Sequence, residues 1–163
     1  MLVAEDNQNN LSLMVTLLKT VGFEVQEAVN GREAVEQWRE WKPHLIWMDM
    51  RMPIMDGYEA TTQIKASPGG KDSVIIALTA NAFEEDRIKV IEHGCDDFVR
   101  KPYRASEIFE MINKHLGVHY IYAEDDGCLA SGNSGDEVPD ARLITFIKDL
   151  PEGVIVRLKE ATE

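Results

Sequence analysis

Four short stretches of this 163-residue chain carry side chains that could do chemistry together. Glu5 and Asp6 are adjacent acids directly after Met1–Ala4, and Asp49 closes the apolar run Leu45-Ile46-Trp47-Met48. Thr79 follows Val74–Leu78, and Lys101, with Pro102 after it, follows Asp97–Val99. Mg²⁺ takes a few hard oxygen ligands and keeps several waters. Asp6 and Asp49 offer two carboxylates and the Arg51 backbone carbonyl a third oxygen, with Glu5 acting through water rather than as a direct ligand. Adjacent acids also fit a solvated loop or a helix N-terminus, and Glu5-Asp6 alone would be read that way. Asp49, at the end of a separate apolar run, tips the reading toward a metal site. An ammonium at Lys101 would offset charge on an incoming phosphoryl oxygen. The Thr79 hydroxyl would either bond that oxygen or cap the next helix, and the small Ala80 leaves access. The chemistry indicated is Mg²⁺-assisted phosphoryl transfer.

These residues need elements that bring them to one place. A short apolar run broken by a turn such as Met52-Pro53-x-x-Asp56-Gly57 reads as a buried strand. The spacing predicts strands over Met1–Ala4, Phe23–Ala28, Leu45–Asp49, Val74–Leu78 and Asp97–Val99. Between and after them it predicts helices over Asn9–Val21, Gly31–Trp41, Tyr58–Ala66, Phe83–His93 and Ala105–Leu116. Five strands alternating with five helices imply right-handed crossovers and a parallel sheet covered on both faces. The expected class is α/β, a flavodoxin-like (βα)5 doubly wound sheet of order 2-1-3-4-5, with its ligand crevice between the first and third strands. Asp6 and Asp49 leave those two strands. Trp38, Trp41 and Trp47 need no role beyond the core.

Residues 1–117 form the expected globular domain. Residues 118–139 read as an extension and a linker rich in Gly, Ser, Asp and Asn, and 140–163 as a short helical tail with Leu143, Ile144, Phe146, Ile147, Ile155 and Leu158 apolar. Such a tail cannot bury those side chains alone, so the chain is expected to be a piece of a longer protein. The formal net charge of -12 argues against nucleic acid as a partner. No apolar stretch approaches the ~18–20 residues of a membrane span, so no direct membrane contact is expected. Cys95 and Cys128 form neither a metal-ligand spacing nor a disulfide framework, which fits a reduced, cytoplasmic setting. A membrane anchor in the parent protein stays open.

The stretches Glu5-Asp6-Asn7, Met48-Asp49-Met50-Arg51-Met52-Pro53-Ile54-Met55-Asp56-Gly57, Ala77-Leu78-Thr79-Ala80 and Lys101-Pro102 together resemble the receiver domain of two-component response regulators. The resemblance covers residues 1–117 and is nearest to receivers attached to hybrid histidine kinases. It implies that Asp49 accepts a phosphoryl group from a phosphohistidine on a histidine kinase or phosphotransfer protein. Mg²⁺ would be held by Asp6, Asp49 and the Arg51 carbonyl, with Lys101 offsetting the remaining charge. It further implies that Thr79 and Phe98 are switch residues, that Arg51 and Asn81 tune dephosphorylation, and that Pro102 is cis and aims Lys101 inward. Pro53 and Gly57 shape the turn after Asp49. For Phe98, plain core packing is an equal alternative. The output surface would be the helix Phe83–His93, the strand Asp97–Val99 and the helix Ala105–Leu116, facing a downstream protein or the parent kinase domain; a homodimer is allowed.

Two other classes compete. A Mg²⁺-dependent phosphohydrolase with an aspartyl nucleophile usually carries a second Asp two residues later, and here Arg51 stands there. A degenerate receiver kept only for docking would not need Glu5, Asp6, Asp49, Thr79 and Lys101 together.

Overall fold

A computed structural model of the chain describes residues 1–80 and 84–118. Five strands, β1 (Leu2–Ala4), β2 (Gln26–Ala28), β3 (Leu45–Asp49), β4 (Val74–Thr79) and β5 (Asp97–Arg100), alternate with five helices. The helices are α1 (Gln8–Thr20), α2 (Gly31–Trp41), α3 (Gly57–Ala66), α4 (Glu84–Glu92) and α5 (Ala105–Leu116), and a single 3-10 turn, Gly70–Asp72, precedes β4. All strand pairs are parallel, in the order β2-β1-β3-β4-β5. The expected sheet order and parallel pairing hold. The tail segments beyond residue 118, and Asn81, lie outside the described residues.

Side chains alternate across the sheet with period two, and the two faces carry separate cores. Val3, Trp47, Ile76 and Leu78 pack with Leu11, Met14, Leu18, Ile108 and Ile112, beneath α1 and α5. Leu2, Ala4, Ile46, Met48, Ile75 and Ala77 pack with Val35, Trp38, Ala60 and Ile64, beneath α2 and α3. All five residues of β3 are buried. A strand with helices on both faces has no wet side, which is why Leu45–Asp49 reads as a continuous apolar run rather than an alternating one.

Several boundaries differ from the sequence reading for local reasons. Helix α1 starts at Gln8 because the Asn7 side chain accepts the backbone N–H groups of Asn9 and Asn10, which makes Asn7 the cap. Strand β2 is three residues long, not the six of Phe23–Ala28. It is an edge strand that pairs with β1 at Gln26, Glu27 and Ala28, while Val25 is buried in the core under α1 and α5 and Phe23 packs against it. Strand β4 runs one residue further than expected, pairing Thr79 with Arg100. Trp38 and Trp47 are buried in the cores, while Trp41 is only half-buried.

Candidate functional site

The carboxyl ends of β1, β3, β4 and β5 converge on a cleft of about 290 Å³. Its lining includes Glu5 and Asp6 from the loop after β1, Asp49 and Arg51 at the end of β3, Thr79 and Ala80 at the end of β4, and Lys101 after β5. One oxygen each from Glu5, Asp6 and Asp49 lie within 4.8 Å of one another. Asp6 is exposed, whereas Glu5 (2% exposed) and Asp49 (6%) are buried.

Lys101 bridges the two buried acids. Its Nζ donates to Glu5 Oε2 at 2.6 Å and to Asp49 Oδ2 at 2.7 Å. The other Asp49 oxygen accepts the Arg51 backbone N–H at 3.0 Å, so the carboxylate is held from both sides. Lys101 is itself fixed through its backbone N–H, which donates to Thr79 O at 2.7 Å, and its peptide bond to Pro102 is cis. Burial pushes the Glu5 carboxyl above its ordinary range, the charge of Asp49 adds to this, and the bond from Lys101 opposes it. For Lys101, burial acts to lower the pKa, but the bonds and charges of Asp49 and Glu5 outweigh it and raise the value. Two buried carboxylates share the one Lys101 ammonium and the exposed Asp6 adds a third beside them, so carboxylates outnumber the ammonium in this group. A donor set made only of hard oxygens fits a small divalent cation, which would neutralise that surplus.

The turn after β3 is built tightly. The Gly57 N–H donates to Met50 O at 3.3 Å, and a Cβ at Gly57 would lie 2.2 Å from Asp49 O. Any side chain there would push against the backbone of Asp49 itself. Asp56 caps α3 by accepting the Glu59 N–H at 2.8 Å, and Pro53 lies exposed on the loop. At the end of β4, Thr79 is buried at the cleft wall. Phe98 pairs with Ala77, two positions before Thr79, which puts Thr79 and Phe98 on one sheet face. The Phe98 ring is half-buried, packs against the core under α2 and α3, and has the Arg87 guanidinium 5.6 Å from its centroid. Phe98 is not part of the cleft lining.

The sequence reading passed over Asn10 and Tyr58, both of which line the cleft. Asn10 Nδ2 points to Glu5 Oε1 at a long 3.4 Å. Asn10 is three residues past the Asn7 cap, hence on the first turn of α1 and facing the cleft, which is the signal that could have found it. Tyr58 stands on the first turn of α3. Its ring meets that of His93 edge-on, with centroids 5.0 Å apart.

The profile of the response regulator receiver domain matches residues 1–113. The chain is 42% identical over 127 residues to hybrid signal transduction histidine kinase B of Dictyostelium discoideum, an alignment covering 71% of the chain and 6% of that protein. It is 33% identical over 116 residues to the polar-differentiation response regulator DivK of Brucella anthropi, covering 71% of the chain and 94% of DivK. The chain thus spans a small fraction of the hybrid kinases it matches but nearly all of DivK. Among solved structures, the receiver domain of a sensor histidine kinase from Pseudomonas aeruginosa PAO1, with a magnesium ion coordinated in its active site cleft, superposes with a TM-score of 0.67 at 34% identity, covering 71% of this chain and 95% of that one. The receiver domain of Ssk1, crystallised with the Saccharomyces cerevisiae histidine phosphotransfer protein Ypd1, superposes with a TM-score of 0.65 at 31% identity, covering 70% and 86%.

Proposed function

The chain belongs to the response regulator receiver family of two-component systems, and from that premise we propose that Asp49 is its phosphoacceptor, charged by a phosphohistidine on a histidine kinase or a phosphotransfer protein of the Ypd1 kind. A carboxylate oxygen of Asp49 attacks phosphorus and the P–N bond to the imidazole breaks. Its electron pair returns to the ring nitrogen, which takes up a proton, and an aspartyl phosphate remains. The observation that carries this reading is the Lys101 ammonium, 2.6–2.7 Å from two buried carboxylates at the mouth of the sheet. Before transfer it screens Asp49 from Glu5. Afterwards it stands beside the new phosphoryl oxygens without having to move far.

Asp6, Asp49 and the Arg51 backbone carbonyl would hold Mg²⁺, with Glu5 reaching it through water. When bound, the ion supplies charge neutralisation between the carboxylate and the incoming phosphoryl group. Thr79 supplies a hydroxyl to the same group from the end of β4, and Phe98, on the same face, is the side chain whose packing a shift of Thr79 toward that group would disturb. Phosphorylation can bias only an equilibrium whose two states it binds differently, and the surface that changes would be α4, β5 and α5. Arg51 and Asn81, two residues beyond Asp49 and Thr79, are positioned in the sequence to govern access of water to the phosphoryl group. The parent protein in this reading is a hybrid histidine kinase.

Intact mass after incubation with acetyl phosphate, with and without Mg²⁺, tests the proposal. The expected result is one added phosphoryl group on the wild type, absent without Mg²⁺ and absent in Asp49→Asn. Retention of the adduct in Asp49→Asn would place the acceptor elsewhere. Steady phosphate release from a phosphomonoester would favour a hydrolase instead.

A further inference from the structure

The loop from Asp49 to α3 contains a residue that the acceptor chemistry does not use. Ile54 has a backbone φ of +71°, a region that L residues rarely adopt and that a β-branched residue adopts least readily. The Met55 N–H donates to Pro53 O at 2.8 Å, closing a three-residue turn around Ile54, and a positive φ at its centre marks the rare, strained form. The Ile54 side chain is 72% exposed and belongs to neither core. A strained backbone and a large apolar side chain in water are two unfavourable features in one residue.

The turn is also firmly mounted. The Gly31 N–H at the start of α2 donates to Met55 O at 2.9 Å, and a Cβ at Gly31 would lie 2.5 Å from that same oxygen. On one side Arg51 binds Asp49, and on the other Gly57 binds Met50. Ile54 is therefore a rigidly presented apolar knob. It stands three residues beyond Arg51, within about 11 Å along the chain of a residue that lines the cleft. A small phosphodonor fills the cleft without touching this turn. A protein delivering a phosphohistidine to Asp49 must cover the rim around it.

Resting on the phosphoacceptor reading, we propose that Ile54 is the apolar anchor on which the phosphohistidine-bearing donor protein docks, the strained turn holding it in the bound geometry beforehand. Preorganised, well-packed apolar anchors carry a large share of an interface's affinity.

The test compares two donors on the full chain, acetyl phosphate and phosphorylated Ypd1, with wild type, Ile54→Asn and Ile54→Leu. Asn removes both the apolar surface and the β-branch that makes positive φ an outlier, so Ile54→Asn should keep the fold by thermal melting. Its rate of phosphoryl uptake from Ypd1 should fall about tenfold, the loss typical of one anchor residue. Uptake from acetyl phosphate should stay within about twofold, and Ile54→Leu should recover most of the transfer from Ypd1. Equal rates from Ypd1 for Ile54→Asn and wild type would overturn the anchor, as would an equal fall with both donors. Wild type labelled by acetyl phosphate but not by phosphorylated Ypd1 would also overturn it, leaving the phosphoacceptor reading intact. No labelling by either donor would overturn that reading itself.

Discussion

At the scale of single residues, Lys101 decides whether the cleft is stable before any cation enters. Replacing it by Ala leaves Glu5 and Asp49 buried beside each other without their shared donor. Breaking a buried ion pair from one side is destabilising by about 3–5 kcal/mol, and Lys101 is partly solvated, so a loss of about 1–3 kcal/mol is expected. Urea unfolding of Lys101→Ala in EDTA measures it, and an unchanged midpoint would mean that solvent already screens the two acids. Gly57 is a second residue-scale case, with a steric cause. Gly57→Ala sets a methyl against Asp49 O, where only backbone movement can make room. Overpacking of this kind is destabilising by about 1–3 kcal/mol, and the movement shifts Asp49 itself. Phosphoryl uptake from acetyl phosphate should therefore fall by more than the loss of folded protein explains.

At the scale of elements, β5 and α5 are joined by an ionic staple at the end of β5 opposite the cleft. Asp97, the first residue of β5, accepts from Lys114 Nζ at 2.6 Å and pairs with His115 Nε2 at 2.9 Å, both in the last turn of α5. Burial acts to raise the Asp97 pKa, but the bonds from Lys114, His115 and the Phe98 N–H outweigh it and hold the value below the ordinary carboxylate range. A carboxylate with a depressed folded pKa contributes stability above its unfolded pKa and loses it as pH falls through the folded value. That places the loss below about pH 4, the ordinary Asp value. Wild type should therefore lose stability more steeply than Asp97→Asn as pH falls below about 4. Parallel acid limbs for the two proteins in chemical denaturation would show the staple to be energetically neutral.

At the scale of the whole molecule, a cation held by Asp6 and Asp49 would tie together β1 and β3, the two strands at the switch point of the sheet. Any ligand that binds only the folded state stabilises it by RT ln(1 + [L]/Kd), about 2.7 kcal/mol at a hundredfold excess over Kd. Mg²⁺ should raise the melting temperature of the wild type and EDTA should reverse the rise. Asp49→Asn should show a smaller shift, because it removes one carboxylate charge. Equal shifts in both proteins would move the cation away from Asp49. Among the described residues no helix is long and apolar enough to cross a membrane.

The sequence by itself determined the order and kind of the elements, since each is announced locally. The uniform apolar run of β3, the 3.6-residue apolar spacing of α1 and the Pro53 and Gly57 punctuation need no knowledge of distant residues. With the parallel βα rhythm, these put Asp6, Asp49, Thr79 and Lys101 at one edge. Three things depended on the tertiary structure. Strand β2 pairs with β1 over Gln26–Ala28, and its own apolar pattern, which runs from Phe23, cannot report where that pairing starts. Lys101 bridges Glu5 and Asp49 across 96 and 52 residues, so Glu5 is buried with Asp49 rather than loosely solvated beside it. Ile54 acquires its strained, outward pose from hydrogen bonds to α2 and across its own turn, and nothing in the residue type Ile foretells a positive φ. Local periodicity encodes which face of an element is apolar, whereas pairings between separate loops are set by how the packed elements meet.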